Sequence, residues 1–243
     1  MAEDLADEEM EEIFAKPTTI PYISARPIQC PISDCRRVIA ANCVGTHFKH
    51  EHHRIPKYYV TYDMTKQIQL NLERLAPGKT HCSAVLLLAG MDEDPKTMHI
   101  DDFVVIPVLT TKLKCSDVDI RTDYSNVPTC RFTYDLPSTS NAGMKCDQAP
   151  RQRYCNDLIA IWLSTHLAED KECCITGTHQ EKTAKYHYCG AVHSIRDSNE
   201  IEDVLPKGNH LMVFHSNLMK NPEKGLYLFN VTVMQNLLSE PCS

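Results

Sequence analysis

The chain has 243 residues, of which 42% are hydrophobic, with 8 glycines, 14 prolines and 12 cysteines. This suits one large domain, or a domain with a small module, and excludes a low-complexity chain. The net charge of −7 is uneven: residues 1–16 hold seven acids and one base, whereas residues 26–57 hold six bases and two acids. An acidic front end therefore precedes a locally basic segment.

Residues 1–26 read as an acidic flexible tail and a proline linker. Met10, Ile13 and Phe14 could share one side of a short helix, but an isolated helix of that length is marginal in water. Pro17, Pro21 and Pro27 favour extended chain. The start is acidic and lacks the basic and apolar regions of a signal peptide. The longest strongly apolar run, Ala84 to Met91, is eight residues. A membrane span needs roughly 20, so no membrane association is expected. Without a secretory route the cysteines are expected to be reduced thiols, some committed to metal, in cytoplasm or nucleus. The sequon Asn230-Val231-Thr232 then carries no glycan.

Residues 27–57 contain the densest chemistry. "CPISDCRRVIAANCVGTHFKHEHH" (30–53) places three cysteines and four histidines in 24 residues. Zinc prefers four tetrahedral ligands drawn from thiolate and imidazole. Cys30 and Cys35 supply one pair from a turn, and His47 and His52 supply the other, as C-x4-C-x11-H-x4-H. Val38, Ile39, Val44 and Phe48 would form a core too small to stand without metal. His53 is an alternative closing ligand, and Cys43 and His50 are spare. A surface loop with two buried thiols is the bland reading. A cysteine nucleophile with a histidine base is the catalytic one.

From Tyr58 onward the pattern is β. "KYYVTYD" (57–63) and "QIQLNLE" (67–73) alternate with period two. "CSAVLLLA" (82–89) and "DFVVIPVL" (102–109) are continuous apolar runs that fit strands buried on both faces. Pro107 pushes the second towards an edge or bulge. Further strands are expected at 130–136, 157–164, 184–195, 210–216 and 225–234. Residues 137–153 read as a long loop, and 158–170 and 231–240 could be partly helical. Trp162, the only tryptophan, reads as core. Many short strands separated by turns indicate a mainly β fold: a small Cys2His2-type zinc finger followed by an antiparallel β-sandwich over residues 58–243.

A second cluster, Cys173 to His193, could in principle bind metal through Cys174, His179, Cys189 and His193. Strand alternation puts His187 and Cys189 on one face and His193 on the other, which favours buried thiols and satisfied histidines. No phosphate-binding loop, dinucleotide fingerprint, nucleophile elbow or HExxH is present, so no enzyme activity is expected. Asp101-Asp102 and Glu202-Asp203 read as solvated acids rather than acid/base pairs.

"CPISDC", eleven residues, then "HFKHEH" resembles the fingers of the TRAF and seven-in-absentia families. The resemblance implies a TRAF-like β-sandwich behind the finger and an adaptor role near ubiquitin ligation. Met1 to Gln29 contains no cysteine, so no RING is expected there and no ligase activity from this chain. The whole chain also resembles insect proteins with a finger in front of a β-rich remainder. The expected function is a non-catalytic, zinc-binding module for protein partners. The alternative is nucleic-acid binding through Arg36, Arg37, Lys49 and Arg54, favoured by their local charge and opposed by the presence of a single finger.

Overall fold

The computed structural model describes residues 26–90, 95–114, 157–167, 171–178, 185–215, 218, 220–221 and 226–235. The acidic tail, the strand expected at 130–136, the loop at 137–153, His179 and residues 236–243 lie outside these. Two short strands, β1 (Ile28–Gln29) and β2 (Val38–Ile39), and helix α1 (Val44–His50) come first. The remaining strands are β3 (Lys57–Val60), β4 (Thr65–Leu70), β5 (His81–Leu88), β6 (Val104–Leu113), β7 (Leu158–Thr165), β8 (Glu172–Thr178), β9 (Lys185–Ala191), β10 (His193–Ser194), β11 (Leu211–Phe214), β12 (Lys220–Asn221) and β13 (Leu226–Met234), with a one-turn helix α2 (Ile201–Val204) before β11. The fold is thus mainly β. Among the described residues no helix is long and apolar enough to cross a membrane.

Two large sheets form. The first runs β10-β7-β6-β5-β3, with β11 also on β7. In the second, β13 pairs with β4, β8 and β12, and β8 pairs with β9. The expected antiparallel pattern holds for most pairs, but β3–β5 and β10–β7 are parallel. One apolar cluster joins the sheets: Ala84, Leu86, Leu88, Ile106, Val108, Ile159 and Ile161 from the first meet Ile68, Leu70, Ile175, Tyr188, Phe229 and Val231 from the second.

The first sheet is covered on its other face too, which explains its continuous apolar runs. Side chains alternate across a strand. Val85, Leu87 and Val105 therefore point away from the second sheet, into a cluster with Ile28, Ile39, Val44 and Phe48 of the N-terminal segment. Leu109, Leu158, Ala160 and Trp162 point the same way and are covered by Ile201 and Val204 of α2. Trp162 is fully buried, as its place in an apolar run suggests.

Three details depart from the sequence reading. Pro107 sits in a central strand rather than at an edge. It faces Val85 on β5, Val85 turns its N–H to the Pro56 carbonyl, and the β6–β7 ladder begins only at Val108. The proline nitrogen therefore falls where the ladder makes no demand on it. Residues 184–195 form two strands in different sheets, β9 and β10, and the chain crosses at Val192, whose N–H donates to the Lys171 carbonyl at 2.6 Å. β8 lies where the sequence reading gives no strand. Its pattern is strand-like, with Cys173, Ile175 and Gly177 turned inward. The strands expected at 157–164 and 225–234 are present as β7 and β13, with no helix there among the described residues.

Candidate metal centre

The hairpin β1–β2 carries the first two ligands. Ile28 pairs with Ile39 and Gln29 with Val38. Between the strands, Cys30 N donates to the Arg37 carbonyl at 2.8 Å and Cys35 N to the Ile32 carbonyl at 2.9 Å. These bonds curl the loop so that both sulfurs point inward. Arg36 completes the turn in the left-handed region at φ 51°, a conformation that costs a non-glycine residue on the order of 1 kcal/mol. After the hairpin, α1 supplies His47 from its buried face. The chain just beyond α1 supplies His52, and Glu51 N closes on the His47 carbonyl at 2.9 Å.

The four ligand atoms of Cys30, Cys35, His47 and His52 lie within 4.8 Å of one another. Cys30 Sγ is 3.4 Å from His52 Nε2, and Cys35 Sγ is 3.7 Å from His47 Nε2. The two imidazoles stand edge to face at 4.9 Å. Tetrahedral coordination with thiolate bonds near 2.3 Å and imidazole bonds near 2.0 Å gives ligand–ligand edges of roughly 3.3–3.8 Å. The two sulfur–nitrogen edges here fall in that span, so the donor set fits a tetrahedral ion. His53 is exposed and turns Nδ1 to the His50 carbonyl at 3.4 Å, and His50 and Cys43 are also exposed. The geometry thus selects His52 over His53.

Burial dominates the electrostatics. It pushes the Cys30 thiol up to about 12, with the neighbouring Cys35 adding and a hydrogen bond from the Ile32 backbone opposing. Burial also lowers His47 and His52 below the usual imidazole range, and for His52 the charge of His47 adds. Neutral imidazole is the form that binds metal. A buried thiol that resists ionisation alone ionises when it coordinates an ion.

The site is fastened to the body from several sides. Ser33 and Thr80 exchange bonds, Thr80 N to Ser33 Oγ at 3.0 Å and Ser33 N to the Thr80 carbonyl at 3.3 Å. Lys79 pairs with Asp34 at 3.0 Å. On α1, Thr46 N and Thr46 Oγ1 donate to the Asp101 carboxylate at 2.8 and 2.6 Å. Asp102 accepts from His99 N at 2.9 Å. Asp101 and Asp102 therefore do structural work that their adjacency in sequence did not reveal. Lys57 donates to the His52 and Ile55 carbonyls at 3.0 and 3.1 Å.

The four basic residues expected for nucleic-acid contact are all exposed, and two of them also have partners within the finger. Arg37 pairs with Glu51, and Arg36 Nε donates to the Ser33 carbonyl at 3.3 Å.

In the second cluster His193 stands apart from His187 and Cys189, as strand alternation predicts. His193 lies on β10 in the other sheet and bonds the Ser198 carbonyl at 3.0 Å. Cys174, His187 and Cys189 come together instead. Cys174 and Cys189 are joined as a disulfide, so the expectation of reduced thiols fails for this pair. Among the described residues Cys30, Cys35, Cys43, Cys82 and Cys173 stand outside any disulfide.

A search of curated proteins finds no match. A family model does match, over residues 29–222. That stretch includes all four ligands and most of both sheets. The chain belongs to the family described as "Domain of unknown function (DUF4729)".

Proposed function

We propose that this chain is a non-catalytic protein-interaction module whose N-terminal segment is held by one zinc ion on Cys30, Cys35, His47 and His52. The observation that carries the metal assignment is the convergence of two sulfurs and two ring nitrogens within 4.8 Å. Zinc suits a tetrahedral S2N2 set, and all four positions are filled by protein, as in structural rather than catalytic sites. When bound, the ion supplies cross-linking, not reaction chemistry.

The edge of the first sheet supports the protein-partner part of the reading. Among the described residues β3 is the terminal strand of its sheet, and it displays Tyr59, 55% exposed, beside Phe103. A partner segment in extended conformation can add to such an edge by main-chain hydrogen bonds. Val38 and Phe214 add further exposed apolar surface. The finger in front of two layered sheets supports a TRAF-type sandwich, and with it an adaptor role near ubiquitin ligation. The nucleic-acid reading draws less support, because Arg36 and Arg37 have partners within the finger.

Elemental analysis of the purified full chain is expected to give one zinc per molecule, lost in Cys30→Ser/Cys35→Ser. Affinity purification is expected to recover protein partners with the wild type and fewer with Tyr59→Lys, at unchanged zinc content. Zinc-free protein from metal-controlled preparation would sink the metal assignment. Steeply salt-dependent binding to duplex DNA or single-stranded RNA, lost in Arg36→Ala/Arg37→Ala, would replace the protein-partner reading with the nucleic-acid one.

A further inference from the structure

The outer face of the second sheet carries a sulfur-rich cluster that the zinc site does not use. Cys174 on β8 and Cys189 on β9 are direct register partners. His187 precedes Cys189 by two residues on β9 and so shares its face. The ligand atoms of all three residues lie within 4.8 Å of one another. A fourth donor arrives from β13. Cys174 is paired with Thr232, and Met234, diagonal to it, brings its Sδ to 3.5 Å from Cys174 Sγ. Cys174 and Cys189 are half-buried and His187 is exposed, whereas Cys173 turns into the core.

A disulfide that only staples two strands has no use for an imidazole and a thioether beside it. Two thiolates, an imidazole and a thioether are together a soft donor set. Zinc draws its protein ligands from Cys, His, Asp and Glu. Thiolate with thioether is a soft set of the kind Cu(I) takes, and the thioether is what sets it apart from a zinc site. We propose that Cys174 and Cys189 are a thiol–disulfide pair whose reduced form binds one Cu(I) through both sulfurs and the His187 ring, with Met234 Sδ completing the set.

The chemistry balances in two steps. A dithiol reductant delivers two electrons and two protons to the Cys174–Cys189 disulfide and itself becomes a disulfide. The two thiols then release their protons to solvent as Cu(I) binds, and the copper keeps its oxidation state. The disulfide form lacks thiolates and does not hold the ion. The site lies on β8, β9 and β13, whereas the zinc ligands lie on or beside β1, β2 and α1, and the inference does not rest on the zinc reading.

The test uses the full chain, purified with its bound zinc. Disulfide and dithiothreitol-reduced samples, freed of reductant without air, are titrated with Cu(I) against a chromophoric Cu(I) chelator. Copper and zinc are counted in each. The reduced protein is expected to take up one Cu(I) per chain and keep its zinc. The disulfide form and Cys174→Ser/Cys189→Ser are expected to take up none. His187→Gln and Met234→Leu leave both cysteines in place and serve if the double variant does not fold. Each is expected to weaken Cu(I) binding by about tenfold or more, since losing even an outer partner of a ligand costs about 10–100-fold in metal affinity. No uptake by reduced protein, equal uptake by the disulfide form, unchanged affinity in both single variants, or copper entering only as zinc leaves would each overturn the proposal. Protein purified without zinc would overturn the finger assignment alone.

Discussion

A methyl group on Gly45 would run into the Ile100 carbonyl oxygen. Glycine at this point lets α1 lie against the turn at Ile100–Asp102, where Thr46 reaches the Asp101 carboxylate. Alanine would gain about 1 kcal/mol of helix propensity, but overpacking costs about 1–3 kcal/mol, and here the obstacle is backbone. Gly45→Ala is therefore expected to lower the urea midpoint, and a raised midpoint would refute this account of the contact. Asp101→Ala is expected to cost about 1–2 kcal/mol, the scale of a lost cap with a charged acceptor, measured by the same denaturation. His210 makes a third prediction. Burial holds its imidazole down to about 4, against 6.5 for the free side chain, and its Nδ1 has no partner among the described residues. Above pH 6.5 neither folded nor unfolded chain binds this proton, so the neutral-burial stability is fully present. Between 6.5 and 4 the unfolded chain takes the proton and the folded chain does not, so stability falls with pH, by on the order of 3 kcal/mol at the lower end. His210→Phe should flatten that acid limb, and an unchanged slope would show that other groups set it.

At the scale of elements, legibility followed how many partners a residue answers to. Cys30, Cys35, His47 and His52 were readable because paired cysteines and paired histidines at short spacing form a local pattern, and the structure brings these four together. β5, β6 and β7 were readable as apolar runs because both faces are covered. β8 was not, because "ECCITGT" buries only alternate residues and includes a glycine and two thiols, so its strand pattern competes with a ligand pattern. The split of β9 from β10 depends on which sheet each half joins, which period-two alternation does not encode. The roles of Asp101 and Lys57 were invisible because their partners, Thr46 and the His52 and Ile55 carbonyls, are set by tertiary packing. Phe48 joins these levels: it is the largest fully buried side chain of α1 and packs against His52 at 5.4 Å. Phe48→Ala is expected to cost about 3–5 kcal/mol and to lower zinc retention against a competing chelator. Unchanged retention would mean that the four ligands hold their geometry without that packing.

Across the whole molecule, the sequence pattern suggests a finger that can be separated from its body. The packing argues for one unit, because Ile28, Ile39, Val44 and Phe48 share a cluster with Val85, Leu87, Phe103 and Val105. Removing metal would loosen the cover of the first sheet as well as the finger. Chelation is therefore expected to lower the melting temperature of the entire protein in one cooperative transition, followed through the near-ultraviolet signal of Trp162, which lies outside the finger. Two transitions, with the Trp162 signal tracking only the upper, metal-independent one, would show that the finger melts by itself.

Lys57 anchors the segment between the metal site and the sheet edge. Its side chain grips the carbonyls of His52 and Ile55, while its own backbone opens β3 opposite Val85. One residue thus belongs both to the support of a metal ligand and to the first rung of an outer strand. A displacement of His52 has only residues 53–56 in which to dissipate before it reaches that rung. If the proposed ion and docking edge exist, they sit at the two ends of a short lever, and loss of the ion would be felt along β3 before any distant strand responded.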